Sequence, residues 1–184
     1  MNNSIINKFE NEKRLLELNP IDTLLKAGFN DDSVLCDIGA GTGIFSFPAA
    51  EISNDKIYAL EISDEMIDIL NKRKTNKKTK NLLIKKVESK TLPLPDKICD
   101  MVCLITVLHE IKEKELMINE IKRILKRDGR LLVVDFHKKE TPMGPPVNCR
   151  ISIEGLCSLL KRKGLKIADK IIEGDNFYGL VFEM

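Results

Sequence analysis

The sequence predicts a single α/β domain, a doubly wound, mostly parallel sheet of seven strands with helices on both faces. Three observations carry this reading. From Val34 onward, strand-like and helix-like patterns alternate, which is the signature of βαβ units around a parallel sheet. The first strand-like run ends in Asp37-Ile38-Gly39-Ala40-Gly41-Thr42-Gly43, with glycines at alternate positions where a chain leaving a buried strand must pivot into a helix. Near the end, Glu173-Gly174-Asp175-Asn176 joins two strand-like runs with too few residues for a crossover helix, so that pair must be antiparallel. A chain of 184 residues is long enough to bury about 70% of its unfolded surface without disulfides or metals.

Taken in order, Ile5, Phe9 and Leu16 can share a helical face, and Asn19-Pro20 supplies a cap and first-turn proline for a second helix ending near Gly28. Residues 1–30 are thus expected as an N-terminal helical cap over a domain spanning 31–184. Strand one is Val34 to Asp37, a helix starts after Gly43, and strand two is Lys56 to Glu61. Ser63 then caps a helix with Asp64 and Glu65 in its first turn and Met66, Ile69 and Leu70 toward the sheet. Leu82 to Val87 makes strand three. Cys99 to Thr106 is nearly continuously apolar, as expected of a central strand buried on both faces. Met117, Ile121, Ile124 and Leu125 follow helical spacing up to Asp128-Gly129, where Gly129 is expected in a left-handed cap, and Arg130 to Phe136 is strand five. A proline-rich loop, Thr141 to Pro146, leads to a helix with Ile153, Leu156, Cys157 and Leu160 inward, closed by Gly164. The final strands are Leu165 to Ile172 and Phe177 to Phe182.

Composition narrows the function classes. Thirty basic residues against 28 acidic give a net charge of +2, too little to steer the chain to nucleic acid or an anionic membrane. The basic run Lys72-Arg73-Lys74, with Lys77, Lys78 and Lys80, has no interleaved aromatic and reads as a solvated helix end. Five cysteines is an odd number, and Cys36, Cys99 and Cys103 fall in apolar runs, which points to free thiols and a cytoplasmic setting. Lys8, Glu10, Glu12, Lys13 and Arg14 interrupt any signal-peptide core, and the longest apolar stretch, Met101 to Leu108, falls short of the ~20 residues of a membrane span. No Cys-x-x-Cys, His-x-x-x-His or carboxylate cluster suggests a metal.

The glycine spacing selects the ligand. A dinucleotide fingerprint would need glycine at position 44, where Ile44 stands, and no phosphate-binding lysine follows Gly43. The pattern is Asp-x-Gly-x-Gly-x-Gly, and an Asp at the strand end repels a pyrophosphate but attracts an ammonium. It resembles the first motif of the class I S-adenosylmethionine-dependent methyltransferases. The resemblance covers Asp32 to Met184 and implies a Rossmann-like methyltransferase domain with strand order 3-2-1-4-5-7-6, using S-adenosyl-L-methionine and releasing S-adenosyl-L-homocysteine.

By that resemblance Asp37, Gly39, Ala40, Gly41, Thr42 and Gly43 hold the cofactor. Glu61, at the carboxyl edge of the sheet beside the glycine loop, can accept two charge-assisted hydrogen bonds from a ribose diol. Its family position makes it the ribose acid, with Ile62 and Met66 flanking the adenine. Glu88 is implied as acceptor from the adenine amino group, with the Ser89 N–H beside it, and the backbone around Ile105 and Thr106 as the neighbour of the methionine end. The run from Asp135 to Pro146 is similar to a subgroup that includes the ubiquinone and menaquinone C-methylating enzymes, and its loop is expected to shape one acceptor wall. His109 and His137 are the candidate bases if the acceptor must lose a proton.

Thr106-Val107-Leu108-His109 stands where many amino-group nucleic-acid methylators carry Asn/Asp-Pro-Pro-Tyr/Phe. A small-molecule acceptor is therefore expected rather than nucleic acid, with a homodimer as the candidate partner state. The alternatives are a non-catalytic S-adenosylmethionine-binding protein, an RNA methyltransferase, or a dehydrogenase on a related fold. Cys149 and Cys157, on the acceptor side, leave a thiol or metalloid acceptor open.

Overall fold

In the computed structural model, residue 6 and residues 9–184 are described. Ile5 of the expected N-terminal face lies outside them. The first elements are α1 (Glu12–Leu18) and α2 (Pro20–Lys26), hinged at Asn19, whose φ of 33° breaks the helix before Pro20. The apolar face expected through Leu16 is not the buried one: Leu16 is 72% exposed, and α1 turns Arg14 and Leu18, one helical turn apart, inward.

The sheet follows as β1 (Leu35–Ile38), β2 (Ile57–Glu61), β3 (Leu82–Lys86), β4 (Cys99–Ile105), β5 (Leu125–Phe136), β6 (Lys166–Glu173) and β7 (Phe177–Glu183). Its order is 3-2-1-4-5-7-6, parallel through β5, with β7 antiparallel to both neighbours. The helices between strands are α3 (Ser46–Ile52), α4 (Asp64–Lys77), α5 (Lys114–Ile124) and α6 (Ile153–Arg162). Strand residues alternate between two cores. Val102, Leu104, Leu131 and Val133 pack with α5 and α6, while Cys103, Ile105, Leu132 and Val134 pack with α1, α2 and α3. Period-two burial on both faces explains the unbroken apolar run of β4.

One expected boundary is corrected. The chain leaves α5 at Ile124 and is already extended at Leu125, which pairs with Cys99, and the register then jumps to Met101 opposite Arg130. Asp128-Gly129 therefore lies in a strand irregularity, and Gly129 is not among the residues with positive φ. Its requirement is steric, since an added Cβ would sit 2.9 Å from Leu125 Cδ2 and 3.0 Å from the Cys99 carbonyl oxygen. Parallel pairing to β4 outweighs the local cap signal. No helix among the described residues is long and apolar enough to cross a membrane.

Candidate functional site

A cavity of about 460 Å³ opens at the carboxyl ends of β1, β2 and β4, in the size range of small-molecule sites. The strand order reverses between β1 and β4, so this is the switch point where open α/β sheets hold ligands.

Its floor is the glycine loop. Gly39, Gly41 and Gly43 all take positive φ, at 71°, 56° and 87°. At Gly43 a Cβ would stand 2.7 Å from the Phe47 ring and 2.8 Å from Leu70 Cδ2, so this glycine lets α3 and α4 close on the loop. At Gly41 nothing lies closer than 3.9 Å, which leaves its surface for a ligand. Beneath the loop, Asp37 is 2% exposed and accepts from the Ser46 hydroxyl at 2.5 Å, pinning the start of α3. Burial, and secondarily the Glu61 charge, raise its carboxyl from 3.8 to about 6.

Glu61, 7% exposed, ties the loop to β2. Its Oε2 accepts from the Gly41 N–H at 2.8 Å, and Oε1 accepts from the N–H groups of Ile62 and Ser63 at 2.8 and 3.0 Å. Two backbone donors saturate Oε1, whereas Oε2 keeps acceptor capacity on the cavity side. Ile62, 72% exposed, and Met66 extend this wall, continued by Val87 and Leu92. The Thr42 hydroxyl, also in the lining, is buried with no hydrogen-bond partner among the described residues. A buried orphan hydroxyl beside an acid with spare acceptor capacity suits a polar ligand carrying its own hydroxyl, amino or carboxylate groups.

The opposite wall comes from the end of β4. Ile105 and Thr106 both line the cavity, and Thr106 has a φ of 56°, a costly conformation for a β-branched residue. Its hydroxyl accepts from Arg14 Nη2 at 2.8 Å. Arg14 is 6% exposed and lies over the rings of Phe136 and Phe177, at 5.7 and 5.2 Å from their centroids. Glu17, one turn on, accepts from the Asn176 and Phe177 N–H groups at 2.7 and 2.9 Å, clamping α1 to the β6–β7 turn.

Several expected residues stand elsewhere. Glu88 and Ser89 are exposed and outside the cavity lining, one step beyond Val87, and the Ser89 hydroxyl bonds the Thr91 carbonyl. Neither histidine is in the lining. His109 Nδ1 is 2.7 Å from Asp135 Oδ1, and since a carboxylate only accepts, that nitrogen carries the hydrogen. His137 Nε2 faces the Gly174 carbonyl at 3.1 Å. The loop from Thr141 to Pro146 does not line the cavity either. Arg150, 5% exposed, gathers it by donating to the carbonyls of His137, Lys139, Met143 and Pro145 and to the Thr141 hydroxyl. Gly144 turns it so tightly that a Cβ would stand 2.6 Å from the Phe136 ring. Cys149 and Cys157 are likewise absent from the lining.

The basic run also needs correction. Arg73 is only partly solvated: Nη1 donates to the Thr42 carbonyl at 3.0 Å, and the guanidinium clasps Glu10. Sequence reading missed both Arg73 and Arg14 as site residues. The available signal for Arg14 was its i, i+4 spacing to buried Leu18 on a short helix with few other inward residues.

Comparison with known proteins agrees with this geometry. The family model described as a methyltransferase domain matches residues 29–180. The ubiquinone/menaquinone biosynthesis C-methyltransferase UbiE from Francisella philomiragia is 27% identical over 137 residues, which are 73% of this chain and 55% of that protein. Among solved structures, a SAM dependent methyltransferase from Aquifex aeolicus has a TM-score of 0.90 at 25% identity, covering 97% of this chain and 96% of that one. The PH0226 protein from Pyrococcus horikoshii shares the fold, with a TM-score of 0.78 at 19% identity over 97% of this chain and 92% of that one. The fold and the comparisons define a class I methyltransferase domain. This chain belongs to the methyltransferase domain family. It spans about half the length of the curated relatives it matches.

Proposed function

We propose that the chain binds S-adenosylmethionine in this cavity and moves its methyl group to a small-molecule acceptor. The observation that carries the reading is Glu61, buried at the end of β2 with Oε2 held by the Gly41 N–H and still able to accept from a ribose hydroxyl. Ile62 and Met66 would flank the adenine, with Glu88 and Ser89 beyond its amino edge. Asp37 would favour an ammonium from beneath the loop, Gly39 to Gly43 would present backbone to the amino-acid arm, and Ile105 and Thr106 would border the methyl. When bound, the cofactor supplies an electrophilic sulfonium methyl. The protein's part is to orient the acceptor and exclude water, and proximity alone can supply ~7–11 kcal/mol.

Residues 1–30 act in this reading as a cap and 31–184 as the catalytic domain. Five free thiols suit a cytoplasmic setting. Quinols are the first acceptors to try, because the similar UbiE is named for quinone C-methylation. His109 and His137 are the proton acceptors to test. The deciding experiment pairs calorimetry of both adenosyl compounds with transfer of labelled methyl to quinols, phenols, thiols, amines and arsenite. Saturable binding with product supports the reading. Binding without any product favours a non-catalytic sensor, and no binding overturns the reading.

A further inference from the structure

We propose that Arg14 is a docking point for an anionic oxygen, a carboxylate or a phenolate, of a ligand seated in the cavity. This rests on the reading of the cavity as the adenosyl and acceptor site.

A guanidinium carries five N–H donors. In Arg14 one Nη2 hydrogen goes to Thr106 Oγ1, while Nε is buried with no partner among the described residues. An unmet buried donor bears its full desolvation cost, and a charged one bears more. The rings of Phe136 and Phe177 offset part of this as cation–π partners but accept no directed hydrogen bond of ordinary strength. Asp135 is the counter-charge acting on Arg14, yet its oxygens already accept from the His109 N–H, His109 Nδ1 and the Phe136 N–H. Burial pushes Arg14 down to about 10 against the opposing pull of Asp135, so it is a cation at neutral pH. A buried cation with an idle donor, on the wall of a ligand cavity, lacks an anion.

The rest of the wall sharpens the contrast. Asp37, Glu61 and Glu110 are its acids, and Arg14 is its one cation among the described residues. Asp37 and Glu61 are acids at the glycine loop, Glu110 is an acid on the turn after β4, and Arg14 places the cation beside Thr106. The Glu17 clamp fixes α1 independently of any ligand, so the guanidinium is held in place beforehand.

Two ligands could bring the anionic oxygen: the cofactor through its α-carboxylate, or the acceptor. The test uses R14M, which keeps the packing, and R14K, which keeps the charge but loses Nε. Each is titrated by calorimetry with S-adenosylhomocysteine, with methylthioadenosine, which lacks the amino-acid arm, and, at saturating S-adenosylhomocysteine, with 4-hydroxybenzoate and 4-hydroxybenzyl alcohol. A tenfold or greater loss for S-adenosylhomocysteine in R14M, with methylthioadenosine unchanged and R14K between, supports the proposal with the cofactor as source. Unchanged S-adenosylhomocysteine binding with a tenfold loss confined to 4-hydroxybenzoate supports it with the acceptor as source. Ligand-free R14M is expected to melt no lower than wild type. Equal losses for both adenosyl compounds with a lowered melting point indicate a structural arginine and overturn the proposal. No loss for any probe also overturns it, leaving the cavity reading intact, whereas wild type binding neither adenosyl compound overturns both.

Discussion

Glu10 and Arg73, distant in sequence, form a two-pronged ion pair, Nη1 to Oε1 at 2.6 Å and Nη2 to Oε2 at 3.0 Å, and the same Nη1 reaches the Thr42 carbonyl. The contact joins the segment ahead of α1, the helix after β2 and the glycine loop. Both partners are about a quarter exposed or less, so solvent screens the pair only in part. We expect R73A to weaken S-adenosylhomocysteine binding about tenfold, corresponding to ~1.4 kcal/mol, and R73K to recover part of it. Calorimetry on the two variants checks this, and an unchanged R73A would separate the clasp from the site.

Glu61→Ala removes the acceptor of three backbone donors as well as the proposed ribose contact. Charge-assisted bonds are worth about 1.5–3 kcal/mol each, so losing one ligand contact should reduce cofactor affinity by roughly 10- to 100-fold. Glu61→Gln should lose less, because one oxygen remains. Retained affinity in the alanine variant would remove Glu61 from the site.

The glycines of the loop separate fold from function. Gly43→Ala drives a methyl into Phe47 and Leu70 at positive φ, and we expect about 2–4 kcal/mol of destabilisation by urea unfolding. Gly41→Ala has open space and only its backbone preference to overcome, roughly 1 kcal/mol, but should cost cofactor affinity by obstructing the surface facing the ligand. Equal effects of the two on stability would contradict this division.

Asp37 sets a pH dependence with a definite sign. Its folded carboxyl lies near 6, above the ordinary 3.8, because burial opposes ionisation. The native state therefore holds the proton more tightly than the unfolded chain, and that advantage is complete below 3.8 and lost as pH rises through about 6. The difference corresponds to about 3 kcal/mol, to order of magnitude. Asp37→Asn, which can still accept from Ser46, should be more stable than wild type at pH 7.5 and lose that margin by pH 4. Denaturant titrations at the two values measure it, and a margin independent of pH would refute it.

His109 and His137 differ in depth. His109→Ala leaves the fully buried Asp135 without its Nδ1–H donor, and we expect a loss of about 1–3 kcal/mol, whereas His137→Ala forfeits one bond to a turn carbonyl and should cost under about 1.5 kcal/mol. Neither should alter cofactor affinity. A change in the pH profile of turnover in either variant would identify that residue as handling a proton.

The sheet order was legible because few local facts compel it: a glycine pivot after Asp37, helix-length connections between parallel strands, and a four-residue link before Phe177. Glu61 stood out because strand ends place side chains at the ligand edge. The limit at Gly129 is of another kind, since pairing of Leu125 with Cys99 overrode an apparent helix stop and no local pattern announces a distant partner. Arg14 and Arg73 were hidden for the same reason. Their meaning depends on Thr106 and Glu10, and in a linear reading a long cationic side chain on a helix looks the same whether solvated or folded inward.

Arg150 imposes a counting rule on the segment it organises. The residues whose oxygens converge on it are 137, 139, 141, 143 and 145, every second position of a chain curling around one guanidinium. Removing one residue inside that arc would invert its parity and turn the downstream carbonyls outward, while removing a pair would keep the frame. A one-residue deletion between His137 and Thr141 should therefore lower the melting temperature more than a two-residue deletion there. Length variation in this arc should proceed by twos.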